Sequence, residues 1–244
     1  MSTPPDDPLL DELLRGSLDA SGTTVVGIAG PVAVGKSTFA DTLAARLTAT
    51  GRTAEVVATD VFLVSNAQLA PLGGAMRKGF PESYDWPALQ RFLEDVRRGE
   101  FPLTTPVYSH ETFDLVPGAT HTIETADVLV VEGLNLLQAP PDAPADMAAM
   151  LDRSVYLHAP EQVIEQWFVD RFVGLARPAD GPPSAFYEMF AGMDDAELDA
   201  VARWTWTEIN LPNLRQHIAP TRERADVVVH KAADHHIERI EQPG

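Results

Sequence analysis

Five short runs of consecutive apolar, largely β-branched residues recur along the chain, at Thr23–Ala29, Ala54–Thr59, Asp127–Val131, Val155–His158 and Ala225–His230. Strands that are apolar on successive rather than alternate positions are covered on both faces, as in a parallel sheet sandwiched by helices. Between these runs the period lengthens. Ser37–Ala49 places Ala40, Leu43, Ala44 and Leu47 along one helical face before Gly51 stops it, and the same reasoning predicts helices at Asp85–Arg98, closed by Gly99, at Glu161–Ala176 and at Asp194–Asn210. Strands alternating with helices predict an α/β fold, one parallel sheet of about five strands with helices on both faces. The acidic run Asp194–Asp199 reads as a helix cap and first turn, where the helix dipole favours carboxylates.

Three stretches carry neither period. Val61–Thr125, apart from its one helix, reads as irregular chain of the kind that holds functional loops, and Arg177–Ser184 has the Pro- and Gly-rich composition of a mobile loop. Residues 1–21, rich in Pro and Asp with a short amphipathic stretch at Leu9–Leu14, are expected to form a flexible arm ahead of a single domain spanning 22–244.

Composition narrows the partners. Hydrophobic residues make up 45% of the chain and charged residues 22%, an ordinary core, but 18 basic against 36 acidic residues leave a net charge of −18. Such a field repels polyanions, which argues against nucleic acid and anionic membranes as partners. The absence of cysteine excludes disulfides, thiolate metal sites and cysteine nucleophiles, and with no long apolar run near the start the expected location is cytoplasmic. Of the basic residues only Lys36, Lys78 and Lys231 are lysines, so each needs a reason.

One of them has an immediate reason. Gly30-Pro31-Val32-Ala33-Val34-Gly35-Lys36-Ser37, followed by Thr38, fits the P-loop pattern and sits between the first strand and the first helix. The spacing wraps backbone N–H groups around phosphate oxygens, with Lys36 reaching the β- and γ-phosphates and the Ser37 hydroxyl ligating Mg²⁺. ATP and Mg²⁺ are thus the expected ligands. The second and third strands end on Asp60 and Glu132, and the carboxyl ends of strands face the ligand crevice in open α/β sheets. One acid can accept the proton of an attacking hydroxyl and the other can hold Mg²⁺ directly or through water. Taken singly, either could instead be a helix N-cap or a loop carboxylate.

The P-loop string, together with Arg77-Lys78-Gly79-Phe80-Pro81-Glu82-Ser83-Tyr84-Asp85, Pro106-Val107-Tyr108-Ser109-His110, Glu132-Gly133-Leu134-Asn135-Leu136-Leu137-Gln138, Ile209-Asn210-Leu211-Pro212-Asn213-Leu214 and Pro220-Thr221-Arg222-Glu223-Arg224-Ala225, closely resembles the bacterial (type I) pantothenate kinases, from about Val25 to Ile240 and in family order. The resemblance implies MgATP-dependent phosphorylation of the primary hydroxyl of pantothenate and a possible homodimer. It further implies Asp60 as catalytic base, Arg171 at the transferring phosphoryl group, Tyr108, His110, Phe168 and Asn213, or Asn210, in the acceptor pocket, and Glu132 with Ser37 at the metal.

Several positions depart from the family pattern. Val61 replaces a glycine beside the base, Phe168 a pocket tyrosine, Ala185 an aromatic residue, and Asp41 a helix arginine that in the family helps hold the phosphates of the inhibitor coenzyme A. Losing a hydroxyl and a ring can change acceptor preference. A kinase acting on a nucleoside such as uridine or on another small alcohol, and a nucleotide-dependent regulatory or binding module, are the competing readings. Trp167, Trp204 and Trp206 read as core or helix-packing residues. His230, His235 and His236 match no zinc spacing and are expected to be solvated or at the edge of the nucleotide.

Overall fold

The computed structural model describes residues 22–139, 146–179 and 183–243. The expected N-terminal arm, residues 1–21, and positions 180–182 of the expected mobile loop lie outside them.

The strands are β1 (Thr24–Ala29), β2 (Ala54–Ala58), β3 (Leu103–Ser109), β4 (Asp114–Ile123), β5 (Val128–Gly133), β6 (Arg153–His158), β7 (Val227–Lys231) and β8 (Ile237–Glu241). The principal helices are α1 (Lys36–Ala49), α2 (Trp86–Arg98), α3 (Glu161–Ala176) and α4 (Asp195–Thr205). Among the described residues, six strands form the main sheet in the order β2-β5-β1-β6-β7-β8. The first five run parallel, as the doubly apolar pattern predicts; β1 sits at the centre, in register with β5 from Thr24↔Val128 to Ala29↔Gly133. Val25, Ile28, Val128, Leu129, Val155, Val227 and Val229 are all essentially inaccessible, and α1 packs across β2 and β5 with Ala40, Leu43 and Leu47 turned inward. That packing fixes the loop between β1 and α1 at the carboxyl edge of the sheet.

The structure departs from the expectations in several places. The sheet has a sixth strand, β8, antiparallel to β7, and its mostly exposed sequence Ile237-Glu238-Arg239-Ile240-Glu241 carries no apolar run. The stretch expected to be irregular holds the antiparallel hairpin β3–β4, which pairs Leu103↔Ile123 through Ser109↔Asp114 and stands apart from the main sheet. The last predicted helix is also interrupted. α4 gives way at Trp206 to a wider π-turn running to Asn210. Asp194 caps α4 with Glu197 in a reciprocal capping box, as the acidic run predicts. Trp206 is core, 2% exposed, whereas Trp204 is 52% exposed and is not a packing residue.

The histidines divide. His230 is buried rather than solvated, its Nε2 lying 2.9 Å from Glu241, while His236 is exposed beside Asp234. His158 ends β6 beside His230, ring centroids 4.9 Å apart. Burial, then the charges of His230, Arg222 and Arg239, press the pKa of His158 down from 6.5 to about 4 against a weaker opposing pull from Glu241. The unfolded chain therefore takes up a proton that the fold refuses, and stability present above about pH 6.5 is lost as the pH falls toward about 4. For a half-buried ring the loss is about 1–2 kcal/mol after solvent screening. His158→Gln is expected to flatten that part of the melting curve, read as the difference in Tm between neutral and mildly acidic buffer.

Candidate active site

The cradle between β1 and α1 takes its shape from three residues with positive φ, Gly30 (144°), Ala33 (62°) and Gly35 (91°). Glycine is required at the first, since a Cβ there would sit 2.6 Å from the carbonyl oxygen of Leu157 on the neighbouring strand. Gly35 begins α1 with no side-chain cap and no acidic residue in the first turn, so the first N–H groups of the helix are left for an anion. Lys36 Nζ donates to the carbonyl of Pro31 at 2.8 Å, folded back over the loop. Burial lowers its pKa, opposed by the charges of Glu132 and Asp60 and assisted by that of Arg171. Ser37 Oγ donates to Glu132 Oε1 at 2.7 Å, which joins the first turn of α1 to the end of β5.

The far wall of the cleft, about 670 Å³ in volume, comes from α3 and β7. Trp167, Asp170 and Arg171 project from α3, while Lys231 and His235 come from the end of β7 and the turn after it. Lys231 Nζ donates to the carbonyl of Val34 at 2.7 Å and stands 5.6 Å from the centre of the Trp167 ring. His235 stacks on Trp167 at 4.0 Å, with the ring planes 17° apart, so of the three C-terminal histidines it takes the expected place at the edge of the cleft. Trp167, Asp170 and His235 have no sequence signal as a group, because α3 and β7 meet only through the crossover.

Asp60 lies just past β2 in a 3₁₀ turn, Thr59–Phe62. Burial raises its pKa, Glu132 adds to the rise, and the charges of His110, Lys36 and Lys78 pull the other way. The hairpin therefore brings His110 within electrostatic range of the strand-end acid, and Tyr108, whose hydroxyl is pushed up by burial and then by Asp60, stands beside it. Lys78, one of only three lysines, has a place that its sequence position does not reveal. Its Nζ donates to Asn66 Oδ1 at 2.7 Å and to the carbonyl of Phe113, with Asp114 at 3.7 Å and the Tyr108 ring at 5.3 Å, so it ties its own segment to the hairpin beside Asp60.

The remaining expected residues are more dispersed. Asn213 is buried and its Nδ2 donates to the carbonyl of Gly79 at 2.9 Å, an oxygen that also accepts from Asn135 Nδ2 at 2.6 Å. Asn210 Nδ2 instead donates back to the carbonyl of Thr205 within its own helical stretch. Phe168 packs between Phe172 and Trp206, centroids 6.2 and 6.0 Å away. Ala185 is exposed, but the next two residues supply rings: Phe186 lies 4.3 Å from Phe113 at the hairpin tip, and Tyr187 lies 5.4 Å from Phe172.

Gly133, after Glu132, has no room for a side chain, since a Cβ would lie 1.9 Å from Thr59 Oγ1. Gly133→Ala is expected to destabilise the protein by about 1–3 kcal/mol through overpacking, read as a lower midpoint in denaturant titration. Thr59 sits directly before Asp60, so activity is expected to fall along with stability.

A parallel sheet whose central strand runs into a lysine-bearing phosphate cradle, with carboxylates at two neighbouring strand ends, defines a P-loop phosphotransferase. The phosphoribulokinase/uridine kinase family model matches residues 25–171. The pantothenate kinase of Corynebacterium glutamicum is 46% identical over 232 residues, covering 94% of this chain and 71% of that enzyme, and the pantothenate kinase of Sorangium cellulosum is 44% identical, covering 88% and 71%. Among solved structures, a putative fructose transport system kinase from Silicibacter superposes with a TM-score of 0.69 at 27% identity, covering 89% of this chain and 93% of that one. The chain belongs to the pantothenate kinase family, within the phosphoribulokinase/uridine kinase family.

Proposed function

We propose that the protein transfers the γ-phosphoryl group of ATP to the primary hydroxyl of pantothenate. What carries the reading is the position of Asp60, a half-buried carboxylate just past the end of β2 within the fields of His110, Lys36 and Lys78, in a chain that matches pantothenate kinases over most of its length. Phosphoryl transfer needs placement and charge compensation rather than covalent catalysis.

In this reading the cradle N–H groups and Lys36 hold the β- and γ-phosphates, Arg171 reaches the transferring group from α3, and Lys231 with the Trp167–His235 stack borders the nucleotide. Asp60 takes the proton of the acceptor hydroxyl, its raised basicity suiting that task. His110, Tyr108 and Lys78 face the acceptor, and Asn213, through Gly79, fixes the segment that carries Lys78. The Ser37 hydroxyl and Glu132 carboxylate, already paired, are the hard oxygen donors that Mg²⁺ takes, and they would hold it at the mouth of the cradle. When bound, Mg²⁺ neutralises charge on the phosphates.

The test is a coupled ADP-release assay with MgATP over a panel of pantothenate, uridine and other small alcohols. Pantothenate is expected to give the highest kcat/KM; a nucleoside or another alcohol exceeding it would replace this acceptor while leaving the phosphotransferase chemistry in place. Asp41, exposed on α1, turns a carboxylate outward where the family carries an arginine. Coenzyme A is therefore expected to compete weakly with ATP, and Asp41→Arg to strengthen the competition, read as the change in apparent KM for ATP with coenzyme A present.

A further inference from the structure

Lys231 closes β7 and is buried, 9% exposed, where a charged side chain is normally met by one of opposite sign. The other two lysines follow that rule. Lys78 has Asp114 at 3.7 Å and the charge of Lys36 is opposed by Glu132 and Asp60, but among the described residues no carboxylate pairs with Lys231. Its hydrogen bonds go to neutral acceptors, the Val34 carbonyl at 2.7 Å and His235 Nδ1 at 3.4 Å. An ammonium has three N–H donors, so one is left. The nearby acids are engaged elsewhere: Asp170, which lines the same cleft, accepts from Gln166 on its own helix at 2.8 Å, and Asp234, in the turn after β7, pairs with His236.

The lysine stands where the two halves of the cleft meet. On one side it packs against the cradle, since a Cβ on Gly35 would lie 2.8 Å from its Nζ and its bond to Val34 is to the loop itself. On the other it reaches the Trp167–His235 stack, 5.6 Å from the Trp167 ring centre. A nucleotide that spans the cleft from this stack to Lys36 has its base at one end and its β- and γ-phosphates at the other. Between them lie the ribose and the α-phosphate, and only the α-phosphate is charged.

We propose that Lys231 holds the α-phosphate of the nucleotide, the anion that supplies the counter-charge missing from the protein around it. The proposal rests on the reading of this cleft as the ATP site and not on the identity of the acceptor. The α-phosphate keeps its bonds and charge while the γ-phosphoryl group moves, so the contact is the same in the ground and transition states. Such a contact lowers KM and leaves kcat alone.

Steady-state kinetics on Lys231→Met, Lys231→Gln and Lys231→Arg test this, with AMP and adenosine as competitors of ATP and thermal melting of each variant to establish that the fold is kept. Methionine and glutamine are each expected to raise the KM for ATP and the inhibition constant of AMP by about 10-fold, the scale of one hydrogen bond to a charged group. Adenosine, which lacks the phosphate, should compete equally with parent and variants, kcat should stay within about twofold, and arginine should recover most of the loss. Glutamine can still donate to the Val34 carbonyl but carries no charge. A glutamine variant that behaves as the parent makes Lys231 a tether for the loop and overturns the proposal, as do AMP competition that no substitution changes and a fall in kcat with KM unaltered. If the methionine variant unfolds, the glutamine and arginine variants carry the same comparison. A parent protein that binds no ATP removes the reading of the cleft itself, whereas ATP binding that none of these substitutions alters removes only this inference.

Discussion

Asp60→Asn is expected to lower kcat by about 10²–10⁴-fold, the usual contribution of a placed general base, while ATP binding is kept. The substitution preserves shape and removes only the ability to take a proton. Asp60 lies past the end of β2, in a turn held by Thr59, Phe62 and the pairing with Ser83–Asp85, so an asparagine fits the same space. Its pKa is raised by burial and by Glu132, so the acid limb of kcat/KM is expected above the ordinary carboxylate range. Activity rises with pH as Asp60 ionises, and the asparagine variant should lack that limb. Comparing pH profiles therefore separates loss of the base from general damage, which would lower the whole profile without changing its form.

Lys36→Met is expected to cost about 10²–10³-fold in kcat/KM, comparable to removing one preorganised donor from a developing anion. Two features of the fold set this value. The lysine is desolvated, which strengthens its attraction for phosphate, and its charge is balanced by Glu132 and Asp60 rather than by bulk water. Lys231, which donates to the Val34 carbonyl, is a second cation at the cradle but enters it from the end of β7 and is not expected to substitute. Isothermal titration with ATP, alongside the kinetics, should show weaker binding for Lys36→Met and a smaller loss for Lys231→Met.

The parts of the site that were readable in the chain are those whose information is local. The cradle is one continuous string, its glycines demanded by backbone angles within the loop itself. Asp60 and Glu132 were readable because an apolar run fixes where a strand ends and parallel strands put those ends on one edge. The hairpin β3–β4 was not readable as strands. β4 is largely exposed, and only Ile123 at its end enters the core while Leu103 and Tyr108 of β3 pack against it, so neither alternation nor a continuous apolar run marks the hairpin. β8 escaped for the same reason, being a charged edge strand held by pairing with β7. Trp204 and Trp206 show the helix period at work: residues two apart point about 200° apart, so one faces the core and the other faces water. Lys78 meets Asn66 and the hairpin only in the folded chain, and no spacing within the sequence records that meeting.

The cradle around Lys36 and the carboxylate of Asp60 are proposed to move a phosphoryl group onto pantothenate. The most direct measurement is transfer of label from γ-labelled ATP into pantothenate by the purified protein with Mg²⁺, followed by separation of the products. One labelled phosphate per pantothenate consumed is expected, with equal ADP formed and transfer by Asp60→Asn slowed by about 10²–10⁴-fold. Labelled free phosphate with unlabelled pantothenate, from a protein that binds ATP normally, would contradict it.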